Sequence, residues 1–350
     1  MEKIKRQSTN RMGKILLALF LLILFFRLPI PYYIESPGSA VALEPLVKID
    51  GQEKEMPGTY MLTTVRIMQA TPVLSLTALL PFHDGLSRSS LLGTAENYEE
   101  YDTLQQFYME NSKNTAIEAA FNAAGLPITR EYHGIYVMRV LEESDFYGKI
   151  HPGDTISAID GMTFESSQEF MDYIKAQEVD QTVTITYERD GHTDTVSGDL
   201  IQLSETGNPG IGISLVDHST IETEPSVEID SGLIGGPSAG FMFALQIYTL
   251  LENPDLTGGM EIAGTGTITP DGTIGRIGGI AKKVVAADGE GADIFFAPDD
   301  DITSEMKQIN PDLKSNYEEA VDAAEAIGTE MKVVPVKHLK DAVEYLEEHS

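Results

Sequence analysis

The sequence predicts a mixed α/β (α+β) chain that carries a separate β-module and is preceded by one transmembrane helix. Three observations lead there. From about Leu200 to the end, strand-like and helix-like segments alternate, as they do when helices cover a sheet. Residues 128–203 instead hold two alternating runs, "HGIYVMRV" and "QTVTITYERDG", around a loop and one helical stretch. Ahead of both, "KILLALFLLILFF" supplies an unbroken apolar run from Ile15 to Phe26.

That run is short for a membrane span. Twelve helical residues reach only about 18 Å, against a hydrocarbon core of roughly 30 Å. Continuing the helix to Ile34 closes the gap, with Arg27 snorkelling and Tyr32 and Tyr33 at the interface. Lys3, Lys5, Arg6, Arg11, Lys14 and Arg27 face a single acid, Glu2, in this stretch. Residues 1–34 therefore read as a cytoplasmic N-terminus and an anchor, with the later domains on the outer face of a cell membrane. The competing reading is a cleaved signal peptide, because "AVA" at 40–42 matches the A-x-A cleavage pattern. That site lies far beyond Phe26, so an uncleaved anchor is the reading taken.

Composition removes several function classes. The 350 residues contain 55 acidic and 24 basic side chains, a net charge of −31. A body this acidic repels phosphate backbones, so no nucleic-acid partner is expected. With no cysteine there are no disulfides, thiolate zinc sites or cysteine nucleophiles. There is no H-E-x-x-H zinc motif and no G-x-x-x-x-G-K-[ST] phosphate loop, so neither metal, cofactor nor ATP is expected.

In residues 35–127, "ESPGSAVALEPLVKIDG" and "GTYMLTTVRIM" read as strands. Two helices are expected next, around Tyr98–Glu110 and Ser112–Ala124. Ser112 caps the second, and Gly125 with Pro127 ends it. Within 128–203, "GKIHPGDTISAIDGMTF" leads into the helical "SQEFMDYIKAQ". This order, and "PGDTISAIDG" in particular, resembles a PDZ domain. In that family the end of a peptide adds as an extra strand beside a loop and strand that match "HGIYV" here. The resemblance implies peptide contacts from Gly134, Ile135 and Tyr136.

Residues 204–350 begin with the strand "GIGISLVD". "LIGGPSAGFMF" then turns into the apolar helix "AGFMFALQIYTLL". "GTGTITPDGTIGRIGG" reads as a hairpin turning at Pro270, Asp271 and Gly272. "IAKKVVAADGEG" is a helix ended by Gly289, "ADIFFAP" and "MKVVPV" are strands, and "LKDAVEYLEEH" closes the chain as a helix.

Ser238 occupies the tight turn before the apolar helix. Pro237 suits the first helical position, and free N–H groups at a helix start can receive developing negative charge. A serine hydroxyl needs a base to attack. The nearest of seven histidines in sequence is His218, in the polar "LVDHST", with no evident orienting partner. Lys282 and Lys283 are the other candidates, and helical periodicity separates them. Ile280, Lys283, Val284 and Ala287 follow i, i+3, i+4, i+7 along one face. Lys282 lies about 200° from Val284, on the opposite side, whereas Lys283 lies about 100° away, at the margin of the buried stripe. Lys283 is therefore the one expected to lose its solvent. A lysine must drop about three pKa units to be half neutral near pH 7, which costs about 4 kcal/mol.

"GGPSAG", "AGTGTI", the Gly-turned hairpin, "IGGIAKK" and "IFFAP" together resemble, in order and spacing, the proteolytic domain of Lon proteases from about Gly210 onward. The resemblance implies Ser238 as nucleophile, Lys283 as base and Thr265 as the residue that orients the lysine amine. It implies a protease. Two positions depart from it: Gly235 where an acid is common, and Thr267 where glutamate is common. The whole layout resembles the membrane-anchored Lon-like PDZ proteases of Gram-positive bacteria, and "GTYMLTTV" also looks like that family's early strands. The PDZ module is thus expected as an insertion into the protease domain.

The function so implied is ATP-independent serine endopeptidase activity on secreted peptides or unfolded proteins. Backbone N–H groups around Gly236, Ser238 and Ala239 would receive the oxyanion, and the PDZ groove would hold substrate tails or restrict entry. Two alternatives remain open at the level of sequence. One is a C-terminal processing peptidase, which also places a PDZ domain before a serine–lysine pair. The other is an inactive, membrane-tethered peptide-binding adaptor.

Overall fold

The apolar run lies in α1 (Glu2–Arg27), which stops well before Ile34. Pro29 and Pro31 follow directly, and a residue preceding proline is pushed out of helical backbone. Tyr32–Ile34, expected to finish the span, instead open strand β1 (Tyr32–Ala42). Among the described residues no helix is long and apolar enough to cross a membrane. Ile15, Leu16, Leu17, Leu19, Phe20, Leu22, Ile23, Phe25 and Phe26 nevertheless stand exposed. The computed structural model describes residues 2–93, 95, 97–189, 191–204 and 206–349, without the side chains of residues 2–12, Leu21 and Ile309. The charges of Glu2, Lys3, Lys5, Arg6 and Arg11 thus lie outside the described residues.

Strand β1 pairs antiparallel with β2 (Thr59–Gln69) on one side and with β3 (Asp84–Ser87) on the other. The long helix α2 (Tyr98–Ala124) follows. It is one helix where two were expected, because no proline or glycine interrupts residues 98–124. Asn97 caps its start by accepting from the Glu100 N–H at 2.9 Å. Gly125 ends it in left-handed backbone at φ 69°. Ser112 is an interior residue of this helix rather than a cap, and its hydroxyl is used elsewhere.

Next comes a small antiparallel sheet. Its strands are β4 (Ile128–Val140), β5 (Thr155–Ile159), β6 (Thr182–Arg189) and β7 (His192–Asp199), with α3 (Ser167–Lys175) packed against them. The fifth strand is β8 (Ile213–Thr223), and the order across the sheet is β8-β4-β5-β6-β7. Strand β8 contains most of "GIGISLVD", which was assigned to the following domain. It pairs with β4 along its whole length, from Ile213 opposite Val140 to Thr223 opposite Ile128. The module therefore closes at about residue 223, not 203. Ile135, Val137, Ile156, Phe170, Ile174 and Ile185 fill its core.

The chain then returns to the large sheet through α4 (Gly240–Glu252), β9 (Glu261–Gly264), α5 (Ile280–Gly289), β10 (Ile294–Pro298), α6 (Asn316–Ile327), β11 (Lys332–Val336) and α7 (Leu339–His349). The large sheet runs β11-β10-β9-β2-β1-β3, so strands from both sides of the small sheet pair within it. Strand β9 lies parallel to β2, and β9, β10 and β11 are mutually parallel neighbours. The expected hairpin forms with Thr267 opposite Gly275. Helix α4 is apolar on all sides because the main core surrounds it: Phe241, Phe243, Leu245 and Ile247 are fully buried. Burial on this scale is worth about 1.5–3 kcal/mol per large side chain, which fixes the start of α4 and the turn attached to it.

Candidate active site

Pro237–Ala239 form a single 3-10 turn leading into α4. Two elements hold this turn. From α2, the Gln105 carbonyl accepts the Gly236 N–H at 2.8 Å, and the Ser112 hydroxyl donates to the Pro237 carbonyl at 3.0 Å. From the loop after β9, the Thr265 hydroxyl donates to the Ser238 carbonyl at 3.0 Å, and the Gly266 N–H donates to the same oxygen at 2.9 Å. Gly236 has φ 91° and ψ 160°, a backbone region that glycine alone enters easily. Gly240 lets α2 approach, since a Cβ there would sit 2.5 Å from the Ser112 oxygen.

Ser238 is partly accessible at the floor of a cleft of about 680 Å³, which Val65, Ile67, Tyr101, Gln105 and Leu233 also line. Lys283 approaches from α5 and is only 3% exposed. Its Nζ lies 2.6 Å from Ser238 Oγ and donates to Thr265 Oγ1 at 2.9 Å. Thr265 gives its own proton to the Ser238 carbonyl, so its oxygen lone pairs face the amine. Burial pushes the Lys283 pKa down to about 7, and Glu35 opposes the shift. A large fraction of this amine is therefore neutral near pH 7.

Lys282 differs from the sequence expectation. Periodicity sets it opposite the apolar stripe of α5, yet it is only 6% exposed. Strands β1 and β3 cover that side, and the ammonium pairs with Glu35 at 2.9 Å and with Asp84. Burial works against its charge, but the two carboxylates outweigh burial and hold its pKa above the usual lysine value.

Gly236 also departs from the reading. Its N–H is committed to Gln105, so it holds the turn and does not face the cleft as an anion donor. Ala239 is buried directly after Ser238. Gly235 packs on α2, where an added Cβ would meet Gln105 Cβ at 2.9 Å, which leaves no room for an acid at this position. His218 lies in β8, bonded to Thr155 Oγ1 at 2.9 Å, with its ring against His133 and Tyr136. Among the described residues no histidine bonds to Ser238 Oγ.

Residues 227–346 match the family model of the Lon protease (S16) C-terminal proteolytic domain, and residues 106–200 match that of the PDZ domain. The chain carries a Lon-type proteolytic domain and a PDZ domain. It is 28% identical over 123 residues to a Lon protease of Endomicrobium trichonymphae, covering 35% of this chain and 13% of that protein. It is 30% identical over 137 residues to a Lon protease of Mycoplasmopsis agalactiae, covering 39% of this chain and 12% of that protein. The chain thus spans about an eighth of the length of these relatives. The crystal structure of the PDZ domain of the SdrC-like protein from Listeria monocytogenes is 42% identical, covering 25% of this chain and 90% of that one, with a TM-score of 0.24.

Ser238, Thr265 and Lys283 all fall within the Lon-type match. In the PDZ domain, Gly134, Ile135 and Tyr136 lie in the interior strand β4. Ile135 and Tyr136 pair with β8 on one side and β5 on the other, and Gly134 pairs with His218. A strand bonded along both edges cannot accept a third, so the expected peptide contacts are corrected. Strand β8 is one of the two edge strands, and a groove of about 510 Å³ runs between it and α3, lined by Phe170, Met171, Ile174, Ile211, Ile213 and Leu215. The sequence carried the signal in "GIGISLVD", but alternation alone does not tell an edge strand from an interior one.

Proposed function

We propose that this chain is a serine endopeptidase in which Ser238 attacks and Lys283 is the base. The observation that carries this reading is a desolvated amine 2.6 Å from an accessible hydroxyl. Neutral Lys283 takes the Ser238 proton as Oγ bonds to the peptide carbonyl carbon. The proton then passes to the departing amine, leaving an acyl-serine ester. Water attacks that ester, with Lys283 again accepting a proton, and the carboxylic acid leaves as serine is restored. Thr265 orients the amine. With the Gly236 N–H occupied, the N–H groups of Ser238 and Ala239 at the helix start are the donors assigned to the oxyanion.

Strand β2 pairs with β9 only as far as Leu62, and Val65 and Ile67 beyond that point line the cleft. An extended substrate backbone fits along this edge, which favours short or unfolded chains over folded ones. No nucleotide enters the chemistry. The β8–α3 groove is the place where the PDZ domain would take a substrate tail. The exposed apolar run of α1, flanked by Lys14 and Arg27, fits attachment to a cell membrane with both domains on the outer face.

The test is cleavage of quenched fluorescent peptides and an unfolded protein by the full-length chain without ATP. Ser238→Ala and Lys283→Ala are expected to lose roughly a hundredfold or more in kcat/KM. A peptide boronate or phosphonate is expected to modify Ser238. Undiminished cleavage by both variants overturns the reading, and binding of peptides without any labelling of Ser238 points instead to an adaptor.

A further inference from the structure

Between Glu55 and Asp84 the sequence contains no acidic residue, in a chain that has 55 of them, and Ile67–Phe82 carries no charge at all. Ile67, Ala70 and Phe82 at its two ends pack on the core, but the stretch between them does not. Leu74–Leu79 form a short 3-10 helix with no buried residue. Leu79 is 84% exposed, and Leu76 and Leu80 are each more than half exposed. Clustered apolar side chains left in water mark a contact surface.

The position of the loop says which contact. The Val73 N–H donates to the Phe25 carbonyl at 3.2 Å, so the loop is joined to the end of α1. Phe25, Phe26 and Leu28 are exposed at the same place. The charges that flank the segment in sequence are Arg66 before it and Asp84 after it, and Asp84 is paired with Lys282, so the segment itself presents no carboxylate in a chain that is strongly acidic as a whole. Anionic headgroups repel the acidic body but not this segment.

We propose that Thr71–Phe82 is an interfacial segment whose leucines 76, 79 and 80 lie at the headgroup–acyl boundary of the bilayer that receives α1. The inference rests on the membrane attachment proposed above. Asp84, two residues after the loop, pairs with Lys282, the neighbour of Lys283. A docked loop therefore holds the dyad close to the membrane surface, where chains emerging from the bilayer are within reach.

The sequence contains no tryptophan, so Leu79→Trp introduces a unique reporter at a position with room for it. The full-length variant is bound to vesicles of phosphatidylcholine and phosphatidylglycerol and recovered by flotation. Blue-shifted emission, reduced roughly by half when the phosphatidylcholine carries brominated acyl chains, is the expected result. Leu80→Trp should respond in the same way, and Val179→Trp, exposed on the PDZ domain, should keep its solvent emission. The loop assignment is overturned if the chain floats but the tryptophan at 79 answers only to aqueous iodide. A tryptophan shielded from both quenchers, as a second copy of the chain would make it, overturns it too. A chain that does not float removes the membrane attachment itself, and the loop assignment with it.

Discussion

The Lys282 ammonium lies 2.9 Å from the Glu35 carboxylate, one residue before the buried amine of Lys283. Adjacent lysines on one helix are thus held in opposite states. Lys282 is charged by two carboxylates from β1 and β3, while Lys283, with no ion pair among the described residues, is pushed toward neutrality. Glu35 acts on both, since its charge also favours protonated Lys283. Lys282 offsets that charge.

Lys282→Met removes the offset and leaves Glu35 facing Lys283 alone. The rise of kcat/KM with pH should then move up by about one unit, the effect of one uncompensated charge at a partly buried site. Activity near pH 9 should recover most of what is lost at pH 7. Lys282→Met combined with Glu35→Gln should bring the profile back. A loss that is uniform across pH would mean that Lys282 only supports the fold.

The buried Lys283 amine also has a stability cost whose sign follows from the lowered pKa. Folded Lys283 titrates at about 7, below the usual value of an unfolded lysine. Between the two values the unfolded chain holds the extra proton, so stability from this residue rises with pH through that window and is lowest below pH 7. Lys283→Met should therefore be inactive yet more stable at pH 7, by about 2–4 kcal/mol. The advantage should shrink toward pH 10. Urea unfolding of both proteins at pH 7 and pH 10 measures it, and equal midpoints at pH 7 would count against a desolvated amine.

The part of this site legible in the sequence was the part governed by local rules. Helical periodicity singled out Lys283, and the Gly-Pro-Ser turn ahead of an apolar helix singled out Ser238. Lys282 was misplaced because periodicity describes one helix, and its partners Glu35 and Asp84 come from strands about 250 and 200 residues away. Gln105 and Ser112, which hold the turn that carries Ser238, gave no local signal either, since each acts through a bond to a turn more than 120 residues on. The membrane span was over-read for a different reason. Apolar residues and the tyrosines 32 and 33 continue past Phe26, but Pro29 and Pro31 end the helix and the tyrosines belong to β1.

Gly236→Ala tests how far the turn depends on backbone. The residue sits at φ 91° and ψ 160°, where a Cβ costs about 1–3 kcal/mol. Its N–H also anchors the turn to Gln105. The strain falls on the segment that aims Ser238, so kcat should drop by roughly tenfold or more while Tm changes by only a few degrees. Ser112→Ala, which keeps α2 intact and removes one bond to the turn, should cost about 1 kcal/mol and a smaller share of kcat. Wild-type kcat in Gly236→Ala would show that the turn relaxes without consequence.

The exchange of an interior for an edge strand in the PDZ domain gives the last prediction. If tails dock beside β8, the apolar wall supplied by α3 must matter, and the interior β4 side chains must not. Met171→Glu places a carboxylate in that groove and should weaken binding of an apolar-tailed peptide by about tenfold, or 1.4 kcal/mol. Tyr136→Phe keeps the stacking of this ring on Phe107, whose centroid lies 3.9 Å away, and should leave affinity within about a factor of two. Fluorescence anisotropy of a labelled peptide, measured with Ser238→Ala as the background so that nothing is cut, reads both. The opposite pattern, a deficit in Tyr136→Phe with Met171→Glu unaffected, would return the peptide to β4 and require β8 to detach from it.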